Sequence, residues 1–477
     1  MSTFSALNTA TTALWAQQRA IDVTGQNVAN VNTDGYSRQR ADLQSIGANA
    51  VPAMWSTSNQ IGGGVNADHV TRIRDAFLEG RAQVEHGATA NLTVQSDTYS
   101  AVEDAFREPG DTGLQSMLSG DQGFWAGWGD VMNNSTDPGA RSQLLQRSST
   151  LVAGIHATYG TLTDQWKQNH DALGALVDDV NATTAQIADL NQAIKRATQS
   201  NLPVNELADK RDSLILHLSD QIGATSTPGD DGAMNVIIGG TSVVSDNAAI
   251  TLSVSGTTDP TQVGTNPPQI VTSPGGTVLR PSGTAQGQLA AMTSLIPSYL
   301  NQLDAIANQL AGQVNAIQTQ GYDQNGVQGT NLFDDGAGNP ANVTAANISV
   351  AITDPAKLAA ASLAPVPATP PATGTRASAD NGNAQALYQE RLNPTGTDTT
   401  YRQMIVSLGV QASTASTDVT TQSAISTQVD ASRESVSGVN IDEEMTNMLQ
   451  YQHGYSAAGK LVSVINSMLD DLMNMVS

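Results

Sequence analysis

The 477-residue chain sets 44 acidic against 21 basic side chains, a formal net charge of -23, which repels nucleic-acid phosphates and anionic membrane surfaces. It contains no cysteine, which excludes disulfides, thiolate nucleophiles and sulfur-ligated metals. No run of about 18 apolar residues occurs, so membrane insertion is not expected; the first basic residue is Arg19, which does not suit a cleavable secretory signal.

From the start, Phe4, Leu7, Leu14, Ile21 and Val28 fall on a seam stepping by three and four residues, with the weaker positions Thr11, Gln18 and Gly25 between them. That spacing predicts an amphipathic helix that needs a packing partner. Asp75 to about Gln221 reads as several helices, including apolar spacing through Leu151 to Leu176 and at Val180, Ile187, Leu190 and Ile194, with a stop at Ile222-Gly223.

The period then changes to that of strands. Met234 to Ile238 and Ser242 to Val244 flank the two-residue turn Gly239-Gly240, and Ile250 to Val254 alternates. Asp259 to Gly283, rich in Pro, Gly and Thr, is expected as strand edges and loops. A long helical pattern covers Gln286 to Gln318. Beyond Gly321 a turn-rich stretch holds a short strand at Ile348 to Ile352 and a Pro-rich connector at Ala364 to Gly374.

A further helix runs from near Tyr401 towards Ser435. The last segment carries a stronger apolar stripe through Ile441, Met445, Leu449, Tyr455, Val462, Ile465, Leu469 and Leu472. Two amphipathic segments at opposite ends of the chain are natural partners for each other.

Chemistry-bearing motifs are few. The six histidines show no metal-binding spacing. Gly454 to Lys460 matches the spacing of a phosphate-binding loop, but Leu461 stands where Ser or Thr must reach magnesium. Adjacent acid pairs such as Asp178-Asp179 and Asp470-Asp471 lack a catalytic setting, and Gly62-Gly63-Gly64 reads as a flexible turn. No catalytic, cofactor or metal site is therefore expected.

Two strings stand out. After the first helix, Asn27-Val28-Ala29-Asn30-Val31-Asn32-Thr33-Asp34-Gly35-Tyr36-Ser37-Arg38-Gln39 ends the seam in turn-forming residues, with Tyr36 able to anchor the chain that emerges. Ser437-Gly438-Val439-Asn440-Ile441-Asp442-Glu443-Glu444-Met445 places a capping Asn440 and three acids at the positive end of the last helix. The N-terminal string resembles the signature of bacterial flagellar axial proteins, departing at Asp34 from their usual Thr-Pro-Gly turn. The C-terminal string is similar to the signature of the hook-associated protein 1 branch of that family. Arg74 to Leu78, Ile187 to Asn191, Asn205 to Asp212 and Gly326 to Gly329 are similar to the helical middle of that branch.

This resemblance implies a mainly α fold with inserted β domains, in which the paired terminal helices form a coiled-coil-like assembly element. It assigns residues 1–45 and 436–477 to that element, and 46–222, 284–320 and 395–435 to a helical bundle. Residues 223–283 form an inserted β domain, and 321–394 a turn-rich region. The implied function is a non-enzymatic structural subunit that is exported by the flagellar type III route, self-assembles in a helical ring at the hook tip and joins hook to filament outside the cell. Implied partners are the hook protein, a second hook-filament junction protein and a cytoplasmic export chaperone on the C-terminal helix. The assembly residues would be the two apolar stripes with Asn30, Gly35, Tyr36 and Asn440. Other readings are another axial subunit (hook or distal rod), a secreted surface-binding module and a cell-wall hydrolase.

Overall fold

A computed structural model describes residues 3–47, 62–364 and 379–476. Chain order runs α1 (Thr3–Ala29), β1 (Gln39–Ile46), β2 (Gly64–Arg72), α2 (Ala76–Phe106), α3 (Leu114–Ser119), α4 (Phe124–Asn133), α5 (Pro138–Gln199) and α6 (Asn205–Ile222). Short strands follow: β3 (Thr225–Pro228), β4 (Met234–Ile238), β5 (Thr241–Ser245), β6 (Ala248–Ala249), β7 (Thr251–Ser255) and β8 (Gln269–Ser273). Helix returns in α7 (Gly283–Ala290) and α8 (Ile296–Gln318), then β9 (Phe333–Asp334), β10 (Ser349–Val350), α9 (Gly382–Gln389), α10 (Thr397–Ser437) and α11 (Ile441–Val476). The fold is mainly α with β insertions, as its periodicities predict.

Local chemistry explains the boundaries. The α6 helix stops at Gly223, which takes φ +68 and donates to Ser219 O, while Ala224 donates to Leu218 O. Gly239 and Gly240 both take positive φ, +54 and +86, and turn β4 into β5. The α5 helix buries Leu144, Leu151, Leu162, Trp166, Leu173, Val180, Ile187 and Ile194 at steps compatible with one helical face. The long helix expected from Gln286 is interrupted: Ala291–Leu295 forms a π turn between α7 and α8. Pro297 supplies the reason, because it has no amide hydrogen and crowds the preceding turn. The indole of Trp166 donates to Met292 O within that turn (2.8 Å).

The chain divides into two compact units, one of Met1–Ala88, Val180–Thr251 and Ser423–Ser477, the other of Thr89–Asp179 and Leu252–Gln422. This division differs from the one expected, in which 223–283 is a single inserted domain. The sheet β3-β4-β5-β6 belongs to the first unit, where the amide of Asn191 on α5 donates to Met234 O and Asp246 O and accepts from Met234 N. The pair β7-β8 lies almost wholly within the second. The strand expected at Ile348 to Ile352 is the two-residue β10, paired with β9. The Pro-rich connector lies, from residue 365 onward, outside the described residues.

In the second unit, Phe124 and Trp125 of α4 meet edge to face with centroids 4.8 Å apart, and Phe333 lies 5.7 Å from Phe124. Phe106 packs edge-on against both Tyr299 and Tyr401. The Trp125 indole donates to Asp398 (3.1 Å), so that aromatic burial leaves no cost at its polar tip.

Candidate assembly site at the chain ends

In the first unit, α1 and α11 pack along each other in opposite directions, Gln17 lying at Gly454 and Asn27 at Glu444. The face that α1 buries is not the predicted aliphatic seam. Ala10, Ala16, Ala20, Val23 and Asn27 are buried, whereas Leu7, Leu14, Ile21 and Val28 are half-buried. Small side chains permit close approach of two helices, and Ala20, Val23 and Ala41 form a small core with Val70 and Tyr451 against it. On α11 the inward residues include Ala458 and Ile465, with Val462 and Leu469 half-buried. The side chains of Phe4 and Leu472 lie outside those described.

Where the helices end, a polar cluster closes the pair. Asn27 is 1% exposed and uses its whole amide: the nitrogen donates to Gln39 O (2.8 Å) and Glu444 Oε2 (2.9 Å), and the oxygen accepts from Tyr36 Oη (2.9 Å) and Gln39 N (2.9 Å). Glu444, 2% exposed, also accepts from Arg38 Nε (2.7 Å), while Arg38 Nη1 reaches Glu443 (2.8 Å). The Arg38 amide donates to Ser437 O (2.8 Å). A charge buried this deeply is tolerated because donors from Asn27 and Arg38 meet both of its oxygens. Burial, then Asp209, Glu444 and Glu206, push the Tyr36 hydroxyl up to about 12, so it stays a donor.

The same cluster continues into α6. Ser37 N donates to Asp209, and Arg72 Nη1 bridges Asp209 and Asp212 at 2.8 Å each. Burial opposes the charge on Arg72, but Asp212 and Asp209 outweigh it and hold its pKa above the ordinary value. Arg74 joins Asp212 to Glu79, and Arg433 of α10 also reaches Glu79 (3.4 Å). Arg211, lowered by burial, donates to Gly232 O (2.7 Å) and to Asp212. The Asn205 to Asp212 string is thereby a charge scaffold for the chain ends.

Among the sequence-predicted residues, Asn440 caps α11, its Oδ1 accepting from Asp442 N and Glu443 N. Gly35 takes φ +76 in the turn, and Asn30 bonds locally to Gln26 O and Thr33. Ile441, Met445, Leu449 and Tyr455 face solvent, Met445 and Leu449 being 55% and 56% exposed. Leu461, Val464 and Met468 of α11 are also exposed, on a different flank of the helix. Asn27 and Glu444 are central, yet neither is prominent by period or propensity, although both stand inside the two terminal strings. The only signal for them is that each lies where polar residues interrupt a packing face.

An open cleft of about 680 Å³ lies beside α1, lined by polar side chains such as Arg19, Asp22 and Glu206 and apolar ones such as Val23, Leu202 and Leu207. Gly454 to Lys460 is continuous helix, so it forms no phosphate loop. Among the described residues, no group of three His, Asp or Glu could hold a metal ion, and no helix is long and apolar enough to cross a membrane.

Known proteins share this arrangement of sequence. Residues 99–333 match the flagellar hook-associated protein FlgK helical domain. Residues 432–475 match the C-terminal model of the flagellar basal body rod FlgEFG proteins, and 7–36 match the flagella basal body rod protein model. Flagellar hook-associated protein 1 of Bacillus subtilis (strain 168) is 29% identical over 99% of this chain and 98% of its own length. That of Escherichia coli (strain K12) is 25% identical over 98% and 99%. The flagellar hook junction protein FlgK from Burkholderia pseudomallei has a similar fold, with TM-score 0.63 and 17% identity, over 75% of this chain and all of that one.

Proposed function

The chain belongs to the flagellar hook-associated protein 1 family, structural subunits of the bacterial flagellum that join hook to filament, and we propose that the outward apolar face of α11 is the surface through which it assembles. The observation that carries this reading is the division of α11 into two faces. One is already covered by α1, while Ile441, Met445, Leu449 and Tyr455 stay 43% to 56% exposed among the described residues. Burying such a surface stabilises by about 25 cal/mol per Å² of apolar area, so neighbouring subunits gain by meeting there.

In this reading copies associate in a helical ring, with the hook protein below and a second junction protein beyond. A cytoplasmic chaperone covers the same α11 face before type III export, and the assembled subunit lies outside the cell. The role is structural, with no catalytic step. Deleting the last 30 or so residues should leave hooks without filaments in electron micrographs; normal filaments on such cells would refute the reading. Loss of a copurifying small helical partner on deleting Met445 to Val476 tests the chaperone separately.

A further inference from the structure

We propose that His86 is a proton-operated pin: as an imidazolium it ties α2 to both α6 and the last turns of α10, and on losing its proton it releases one of them. Both ring nitrogens face a carboxylate. Nδ1 lies 3.0 Å from Asp220 on α6, and Nε2 lies 3.0 Å from Asp430 on α10. A neutral imidazole has one N–H and one lone pair, so it can donate to only one of two carboxylates and must turn its lone pair towards the other. Only the doubly protonated ring satisfies both.

The surroundings favour that charged form. From α6 the ring faces Asp220, and from α10 it faces Asp430, whose other oxygen pairs with Arg433 (3.1 Å). Arg433 in turn reaches Glu79 on α2, which also pairs with Arg74. The carboxylates are thus nearest to the ring and the guanidinium stands behind one of them. The bond to Asp220 raises the pKa of His86 above its ordinary 6.5, against the opposing effect of burial, with Asp430 adding to the rise.

A histidine with a raised folded pKa contributes stability that is fully present below about 6.5 and lost as pH rises through the folded value. The element released lies close to the assembly site. The α10 helix ends at Ser437, whose carbonyl accepts from Arg38 N, and three residues later Asn440 caps α11. His86 therefore couples the anchorage of the C-terminal helix to the protonation of one ring.

The test uses the full chain. Ring titration by NMR should place His86 above 6.5. Amide exchange of residues 423–437, corrected for intrinsic rate, should rise several-fold between pH 6 and pH 9, as the ring loses its proton. His86→Gln should remove that pH dependence by exchanging fast at both values, and His86→Arg, charged throughout, by exchanging slowly at both. Should His86→Gln fail to fold, Asp430→Asn should lower the ring titration of His86. Titration of His86 at or below 6.5, pH-dependent exchange persisting in His86→Gln, or a titration unmoved by Asp430→Asn would each overturn the proposal.

Discussion

The two units hide different chemistry. The second closes around large aromatic side chains, with Phe124, Trp125, Trp128, Trp166 and Phe333 all essentially buried, and hides Arg141, Asp323 and Asp398 beside them. The first closes around aliphatic side chains such as Ile187, Leu218 and Val236 and around charges: Glu444, Asp209 and Arg211 are buried and answered by Arg38, Arg72 and Asp212. The apolar part of aromatic burial is non-directional and scales with the area removed from water. Buried ion pairs stabilise little over an apolar core but specify one arrangement severely, because a missing partner leaves a charge stranded. A unit that must bring together the two ends of its chain in a single register is well served by the second kind.

The largest expected effect lies in the aromatic unit. Trp128→Ala should cost about 3–5 kcal/mol in urea unfolding, with exchange rising around α4 and α9 and little change at α1 and α11. Equal loss of protection in both units would break the comparison. Next, Glu444→Ala leaves Arg38 with Glu443 alone and removes a partner from Asn27, and should cost about 3 kcal/mol, read as faster exchange in α1 and α11.

A smaller stability effect but a large functional one is expected for Met445→Ser with Leu449→Ser. Both residues are exposed, so unfolding should shift by less than about 0.5 kcal/mol, while sedimentation should show loss of self-association. A double variant that assembles normally would place assembly on another face.

A finer contrast separates two glycines of α11. A Cβ at Gly459 meets nothing within 4 Å, so Gly459→Ala should stabilise by about 1 kcal/mol through helix propensity. At Gly454 the added carbon would come within 2.9 Å of the Gln17 amide. That side chain must move, so Gly454→Ala should gain less in the same urea unfolding assay.

Much of the architecture is legible residue by residue. The turn at Gly239-Gly240, the stop at Gly223 and the cap at Asn440 are local events, each settled by a few neighbouring side chains. The pair β1 and β2 leaves no such mark, because its strands are polar and its ladder, Gln39 to Arg72 through Ile46 to Gly64, joins residues well apart in the chain. The face of α1 escapes periodicity for a related reason. Period favours large aliphatic residues, whereas close helix packing selects Ala10, Ala16 and Ala20.

By itself, then, the sequence determined the helices, their ends and the kinship of the two terminal strings, since these depend on period, propensity and capping within one or two turns. Only the tertiary structure decided which stripe of α11 faces α1 and which faces out. It alone also brought Asn27 to Glu444 across 417 residues, because a buried charge is answered by whatever donor the folded chain sets beside it, and that proximity has no periodicity to read.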